Sequence, residues 1–185
     1  MLEDPSRFAF VRNLQAIYPV VRAEVARLPE SAWITWQAAN ASGVRVFPLL
    51  MAYRPRWIDQ RFEARRALCP ETWAWLQQQP GMYTAVISSL APKGRILPHR
   101  DLEEPESLRC HLPLSLPAAG TCGFQVGEQR VQWQEGRCLV FHAHHEHHGH
   151  NDGERPRVLL IVDVRPGSDV PAAPEAIDVP PAHGK

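Results

Sequence analysis

Two histidines and one aspartate stand at spacings that could hold a single metal ion. His99 and Asp101 lie two residues apart, and His147 follows forty-six residues after Asp101. In an extended segment, residues i and i+2 point to the same side, so His99 and Asp101 can bind one ion while Arg100 points elsewhere. Two histidines and one carboxylate on one face of a metal form the facial triad of non-haem iron(II) oxygenases, which leaves positions open for substrate and O2. The sequence therefore predicts His99, Asp101 and His147 as metal ligands.

Arg157 is a candidate for binding a carboxylate beside this metal. It stands ten residues after His147 and begins the apolar run 158–162, which is typical of a buried strand. A buried charge needs a partner. A 2-oxo acid such as 2-oxoglutarate, when it chelates a metal, leaves its far carboxylate deep in the fold. The planar fork of an arginine binds such a carboxylate better than a lysine does.

The segment 142–150 holds six histidines in nine positions. Such a tract could bind zinc or nickel. His147 is favoured as the iron ligand because it stands ten residues before Arg157. We expect the other histidines to form a solvated or substrate-facing cluster.

The elements that must position these residues change in character along the chain. Residues 6–28 show apolar side chains at helical spacing, with Asp4 or Ser6 as the predicted N-cap and Pro19 kinking or splitting the helix. A second helix is predicted over 70–79, because Pro70 suits a first helical position. From residue 84 onward the pattern predicts seven short strands, at 84–90, 95–98, 108–116, 123–126, 129–133, 137–141 and 157–164.

Seven short strands separated by turn residues are typical of an antiparallel sandwich or barrel. With helices packed on it, the predicted fold is mainly β, a double-stranded β-helix of the jelly-roll or cupin-like type. We expect one domain over 1–166, with a helical part at 1–82 and a β-helix core at 83–166. The Pro-rich tail 167–185 is predicted to be a flexible arm or a strap over the surface.

Composition excludes several function classes. Twenty basic and twenty acidic residues cancel, so no global positive field would attract nucleic acid or an anionic membrane. No run approaches the roughly 18 apolar residues of a membrane span, and no apolar leader follows Met1. The four cysteines form no C-x-x-C pair. We expect a cytoplasmic, reduced protein that binds neither nucleic acid nor membrane, whose oligomeric state the sequence leaves open.

Several blocks in the second half of the chain resemble the aspartyl/asparaginyl β-hydroxylase family, and they occur in the family's order. They cover about 83–166, nearly half of the chain. The blocks are Leu-Pro-His-Arg-Asp at 97–101, Leu-Arg-Cys-His-Leu-Pro-Leu at 108–114, Trp-Gln-Glu-Gly at 133–136, Phe141, Glu-His at 146–147, Asn151 and Arg-Val-Leu-Leu-Ile-Val-Asp-Val-Arg-Pro at 157–166.

This resemblance implies roles for two groups of residues. His99 and His147 match the family's iron ligands, and Asp101 matches the carboxylate ligand of many bacterial members. Arg109 and His111 match residues near the metal-bound end of the co-substrate, and their i, i+2 spacing independently places them on one strand face. Four residues would form the co-substrate pocket: Ser88, Arg109, His111 and Arg157. The implied cofactors are Fe(II), 2-oxoglutarate as co-substrate, and O2. After Phe141 the family often has aspartates where this chain has a histidine and an alanine, which changes the hydrogen bonding around the metal.

The resemblance implies a dioxygenase that hydroxylates a C–H bond. The favoured site is the β-carbon of an aspartate- or asparagine-like unit in an amino acid or peptide. Two alternatives stay open. One is a non-catalytic metal-binding β-sandwich that uses the histidine tract for zinc or nickel. The other is a cupin-like isomerase or sugar-binding module. Binding of 2-oxoglutarate, and its loss in Arg157→Ala, would separate the dioxygenase from both.

Overall fold

A computed structural model describes residues 2–51, 62–79, 81–101 and 107–165. The described α-helices are α1 (Ala9–Ala16), α2 (Tyr18–Val25), α3 (Phe62–Leu68) and α4 (Pro70–Leu76), and the 3-10 helices are Pro5–Arg7 and Glu30–Ala32. The described strands are β1 (Leu2–Glu3), β2 (Ile34–Thr35), β3 (Ala41–Met51), β4 (Met82–His99), β5 (Leu108–Ser115), β6 (Cys122–Val126), β7 (Gln129–Val131), β8 (Leu139–His142), β9 (His147–Asn151) and β10 (Arg157–Val164). The predicted tail at 167–185 lies outside the described residues.

All of these strands join one antiparallel sheet, in the order β1-β8-β5-β10-β4-β9-β6-β7. Strand β3 pairs with β4 as well, and β2 pairs with β3. The sheet curves until it is nearly a barrel. Helices α1 and α2 pack against β5 on its outer face, and α3 packs against β3. The prediction of a mainly β fold with N-terminal helices packed on it is confirmed.

Strand β4 is longer than predicted, because residues 92–94, which separate the predicted strands 84–90 and 95–98, bend the strand without ending it. Lys93 adopts a left-handed backbone conformation, with φ of 62°. Gly94 follows where a β-carbon would lie 2.5 Å from the Leu90 side chain and 2.8 Å from the Ala91 carbonyl oxygen. The bend lets the first half of β4 pair with β10 and its last residues pair with β9. The two predicted strands 84–90 and 95–98 are therefore one.

The predicted helix over 6–28 is split in two at Ile17. Pro19 lies in the first turn of α2, where its missing N–H costs no hydrogen bond. Asp4 accepts a hydrogen bond from the Ser6 N–H at 2.9 Å and so caps the 3-10 helix rather than the long helix predicted. Helix α4 begins at Pro70 as predicted. None of the described helices is long and apolar enough to cross a membrane.

Strands β1, β2, β3 and β9 were not among the predicted strands. The segment of β3 contains Gly43 and Pro48, which usually interrupt strands, and the pairing register of β3 shifts beside each of them. The region 1–82 is therefore not helical throughout. Strand β9 consists of histidine, glycine and asparagine, residue types that give no strand pattern from propensity.

Strands β5 and β10 divide the interior into two compartments by alternation of their side chains. On one face, Cys110, Leu112 and Leu160 join the core that packs against the helices. On the other face, Arg109 and Arg157 line an internal cavity, together with further residues of the same two strands. Cys110 lies between Arg109 and His111 on β5, so it points away from the cavity and into the helix-facing core.

Asn151, at the end of β9, forms hydrogen bonds to β4 and to the loop before β10. Its side-chain amide donates to the carbonyl oxygens of Leu90 at 3.0 Å, Ala91 at 3.2 Å and Arg155 at 2.9 Å. Its amide oxygen accepts from the Gly153 N–H at 3.0 Å, and the residue is fully buried. One amide thus joins the bend of β4 to the loop that leads into Arg157.

We expect Asn151→Asp to lower the free energy of unfolding by about 2–4 kcal/mol, because the new oxygen cannot donate and leaves buried carbonyls unpaired. Chemical denaturation followed by circular dichroism measures the change. Asp152→Ala is the matched control. It removes the neighbouring exposed ion pair with Arg95, at 2.6 Å, and should cost less than about 1 kcal/mol. Equal losses in the two variants would contradict the role given to Asn151.

Candidate metal centre and its cavity

Strands β4 and β9 bring the predicted metal ligands together. They run antiparallel, and His99 is the register partner of His147. Asp101 lies just beyond β4, where its N–H donates to the Ala143 carbonyl oxygen at 3.1 Å. One ligand atom from each of His99, Asp101 and His147 lies within 4.8 Å of the others. The bend in β4 is the local feature that makes this meeting possible.

The two imidazoles face the carboxylate through the same ring atom. His99 Nε2 lies 3.8 Å from Asp101 Oδ1, and His147 Nε2 lies 3.8 Å from Asp101 Oδ2. Each Nδ1 faces a backbone carbonyl, that of Leu97 at 2.8 Å and that of His145 at 2.9 Å. A nitrogen opposite a carbonyl oxygen carries the hydrogen, which leaves the Nε2 lone pairs free for an ion.

Electrostatics keep two of the predicted ligands, His147 and Asp101, in the protonation states that bind a metal. Burial lowers the pKa of His147 to about 4, so its imidazole is neutral near neutral pH. Burial alone would raise the pKa of Asp101, but Arg109, His147 and His99 outweigh it, and the pKa falls below its usual value. A neutral imidazole and an ionised carboxylate are the forms that bind a divalent metal.

Arg109 is held between two carboxylates. Its Nε donates to Asp163 Oδ1 at 2.7 Å and its Nη2 to Asp163 Oδ2 at 2.9 Å, a bidentate pair across β5 and β10. Its Nη1 donates to Asp101 Oδ2. These partners raise the pKa of Arg109 despite its burial. Arg109 lines the predicted pocket, but its fork orients the carboxylate of the predicted ligand Asp101 instead of pointing free into the cavity.

Asp163 is a site residue to which the sequence analysis gave no role. It directly follows the apolar run 158–162 in β10, is 3% exposed, and contacts Arg109 through both oxygens. The available signal was an acidic side chain between this run and Val164, since a buried carboxylate needs a cation.

Arg157 lines the cavity from the start of β10, at the other end of that strand from Asp163, and is 1% exposed. Its guanidinium lies over the Trp133 ring at 4.8 Å, and its Nε is buried without a hydrogen-bond partner. Within the described ranges, no carboxylate forms an ion pair with it. Burial lowers the pKa of Arg157 to about 10, which still leaves it charged near neutral pH. A buried cation of this kind is suited to binding an anionic ligand.

His111 and Ser88 line the same cavity. The ring of His111 packs against Phe124 and Phe141, with centroid distances of 5.1 Å to each. Burial, and then the charges of Arg109 and Arg157, keep the pKa of His111 well below its usual value, so the imidazole is neutral. Its Nδ1 is buried without a partner, which leaves a polar atom available to a ligand.

The cavity has a volume of about 280 Å³ and brings all of the predicted site residues together. Its polar lining includes all of the predicted residues: Ser88, His99, Asp101, Arg109, His111, His147 and Arg157. Its remaining wall is mostly apolar and includes Trp36, Val44, Val46, Met51, Val86, Ile96 and Ile161. Much of this wall comes from β3, which the sequence pattern did not predict as a strand.

The donor set fits an iron(II) ion. Two imidazole nitrogens and one carboxylate suit a six-coordinate metal with open positions. Asp101 Oδ2 already accepts from Arg109, so Oδ1 is the oxygen left for the ion. At its far end the cavity then offers Arg157, which has no carboxylate partner among the described residues, to the second carboxylate of a chelating acid.

Solved structures with the same fold include two oxygenases. An oxidoreductase of the 2OG-Fe(II) oxygenase family from Burkholderia pseudomallei matches with a TM-score of 0.52 and 16% identity, over 79% of this chain and 76% of that one. A prolyl-4-hydroxylase from Pseudomonas putida matches with a TM-score of 0.51 and 16% identity, over 82% of this chain and 85% of that one. At this identity the likeness shows the fold alone, and the predicted double-stranded β-helix is confirmed.

Sequence relatives come from bacteria and vertebrates. Ornithine lipid ester-linked acyl 2-hydroxylase of Rhizobium tropici is 31% identical over 166 residues, which is 86% of this chain and 58% of that protein. Aspartate beta-hydroxylase domain-containing protein 2 of Xenopus tropicalis is 34% identical over 97 residues, 51% of this chain and 25% of that protein. The chain therefore spans less than two-thirds of the length of either relative. The aspartyl/asparaginyl beta-hydroxylase family model matches residues 15–166, most of the chain. The chain belongs to the aspartyl/asparaginyl β-hydroxylase family.

Proposed function

We propose that this protein is an iron(II)- and 2-oxoglutarate-dependent dioxygenase that hydroxylates a C–H bond. One observation carries the proposal. The His99–Asp101–His147 cluster shares a cavity with Arg157, a buried arginine that has no carboxylate partner within the described ranges. A metal triad and an unpaired cation in one cavity suit a ligand that binds the metal at one end and presents a carboxylate at the other.

The residues of the chain have distinct tasks in this function. His99, Asp101 and His147 would hold the iron, while Arg157 and Ser88 would bind the distal carboxylate of 2-oxoglutarate. When bound, iron(II), 2-oxoglutarate and O2 supply the oxidising chemistry that places a hydroxyl group on carbon. The protein positions the C–H bond and excludes water, which the apolar wall from β3 favours.

The non-catalytic metal-binding sandwich and the cupin-like isomerase or sugar-binding module are supported less well. Each needs a metal site, and the His99–Asp101–His147 cluster could serve either. Neither has a use for an unpaired arginine buried at the far end of the same cavity. That arginine favours the dioxygenase.

Two substrate classes remain for the hydroxylation. The sequence resemblance favours the β-carbon of an aspartate- or asparagine-like unit in an amino acid or peptide. The structure supports an acyl chain as a second candidate, because the wall formed by Val44, Val46 and Ile161 is apolar. Two described arginines line the cavity. Arg109 pairs with Asp101 and Asp163, and Arg157 is assigned to the co-substrate, so neither is available to bind the carboxylate of a substrate. The acyl-hydroxylating relative from Rhizobium tropici supports the same candidate.

The first test is anaerobic spectroscopy with iron(II) and 2-oxoglutarate, followed by exposure to oxygen and quantification of succinate. We expect a weak visible charge-transfer band from the chelate and then succinate. His99→Ala should lose the band because a metal ligand is gone. Arg157→Gln should keep iron binding and weaken 2-oxoglutarate binding at least tenfold, because a charge-assisted bidentate contact is lost.

Arg157→Lys is the matched control for that variant, since it keeps the charge and removes the fork. It should bind 2-oxoglutarate with intermediate affinity. If iron binds without a chelate band and no succinate forms, the dioxygenase proposal is wrong and the metal-binding sandwich leads.

The substrate classes are separated by offering ester-linked acyl chains, free aspartate and asparagine, and short peptides, with mass spectrometry for one added oxygen. We expect the acyl chain to be hydroxylated. Val46→Thr keeps the side-chain volume but adds a hydroxyl to the apolar wall. It should lower kcat/KM for an acyl substrate about tenfold. Hydroxylation of aspartate or asparagine alone, unaffected by Val46→Thr, would instead support the amino-acid candidate.

Because Arg109 lies between two carboxylates, a change at Asp163 should weaken metal binding without weakening 2-oxoglutarate binding. Asp163→Asn keeps the shape of the side chain but leaves Arg109 with a single anionic partner, Asp101, which must then share its charge between the arginine and the ion. We expect metal affinity, titrated anaerobically with Co(II), to fall about 10–100-fold. Binding of 2-oxoglutarate at saturating metal should hardly change.

Arg157→Gln is expected to show the opposite pattern, with metal affinity kept and 2-oxoglutarate affinity lost. If Asp163→Asn weakens 2-oxoglutarate binding and leaves metal affinity intact, Arg109 serves the co-substrate, as the family resemblance implies.

A further inference from the structure

Three histidines outside the cavity gather on the turn between β8 and β9. His142 ends β8, and His144 and His145 follow it on the turn. Glu3 of β1 lies beside His142, because β1 pairs with β8 at the edge of the sheet. We call these four residues the surface histidine cluster. None of them lines the cavity.

The rings of the surface histidine cluster lie close together. Ring centroids are 4.3 Å apart for His144 and His145, 5.4 Å for His142 and His144, and 6.4 Å for His142 and His145. His142 Nε2 lies 3.3 Å from Glu3 Oε1. The other carboxylate oxygen of Glu3 accepts from Arg7 at 2.8 Å. Three imidazoles therefore lie close together, and one carboxylate oxygen lies beside His142.

This spacing suits imidazoles that share one ion. With metal–nitrogen distances of about 2.0–2.1 Å, the ring centres of two histidines on a tetrahedral zinc ion lie about 5 Å apart. The predicted iron ligands His99 and His147 have ring centroids 4.2 Å apart. The donor atoms of His99, Asp101 and His147 already converge. In the surface histidine cluster, the side chains must rotate about their torsions before their nitrogens point at one ion.

Unsatisfied polar atoms provide a second observation. The Nδ1 atoms of His142 and His144 are buried and have no hydrogen-bond partner. A buried ring nitrogen without a partner costs free energy, and such atoms in a native protein call for an explanation. Coordination of an ion by these nitrogens, or by Nε2 after a ring flip, would recover that cost.

We propose that His142, His144, His145 and Glu3 form a second metal site, which takes a divalent transition metal of the zinc class. Imidazoles with one carboxylate suit zinc or nickel, whereas magnesium and calcium prefer oxygen ligands. The site is separate from the dioxygenase proposal and does not depend on it. The ion would stiffen the turn that carries Ala143, whose carbonyl holds the Asp101 N–H, and that leads into His147.

The test is zinc titration by calorimetry on metal-free protein that carries no affinity tag. The double variant His99→Ala/Asp101→Ala disables the iron triad, and we expect it to retain one bound zinc ion. Adding His142→Gln and His145→Gln should remove that ion or weaken its binding at least tenfold. X-ray absorption at the zinc edge of the triad-disabled protein should show two or three imidazole ligands at about 2.0 Å.

The matched control adds His148→Gln and His150→Gln to the same triad-disabled protein. These changes remove the same number of histidines from the same tract, but both residues lie on β9, outside the surface histidine cluster. Zinc binding should be unchanged in the control. The proposal is overturned if the triad-disabled protein binds no zinc, if the cluster variant binds zinc as well as its parent, or if the control loses binding equally. Circular dichroism checks that each variant is folded. Because zinc is measured without 2-oxoglutarate or turnover, failure here is distinct from failure of the dioxygenase proposal.

Discussion

The structure of the cavity depends on how its buried charges are balanced. Asp163 and Asp101 flank Arg109, so one cation serves two carboxylates and that end of the cavity carries a net negative charge. Arg157 lies among Trp133 and other uncharged neighbours, without a described carboxylate, and makes the other end positive. A dication beside the carboxylates and a dicarboxylate reaching the arginine would complement both ends at once. The proposed ligands thus balance charges that the fold leaves unbalanced.

Alternation along β5 and β10 allows the same two strands to build a core and a polar site. Leu112 and Leu160 point outward to the helices, while Arg109 and Asp163 point inward, one residue out of phase. A shift of one residue in register would exchange the two sets. The apolar outward face is what enforces the register, since α1 and α2 bury it. The N-terminal helices therefore act on the chemistry indirectly, by holding the strands in phase.

Much of the site could be predicted because its residues have unusual types at strand spacing. His99, Asp101, His111 and Arg157 are polar groups in β-rich surroundings, and all of them line one cavity. What could not be predicted depends on contacts between distant segments. The engagement of Arg109 by Asp163 requires the pairing of β5 with β10, which local pattern does not reveal. Strand β3 was missed because its glycine and proline obscure its periodicity, and with it the apolar wall. The bend of β4 was mistaken for a turn, since Pro-Lys-Gly reads as a strand break in sequence.

The partnership of β4 with β3, β9 and β10 also bears on how the chain reaches its native state. Each of these pairings joins segments far apart in sequence. The chain must therefore lose conformational entropy to close each loop before the strand contacts can stabilise the fold. High contact order of this kind is associated with slow folding. The predicted metal ligands, which come from the bent end of β4 and from β9, can converge only after β4 has paired with its neighbouring strands. An ion that needs all three ligands together would bind the native state more tightly than the unfolded chain, and this difference in affinity would stabilise the whole sheet.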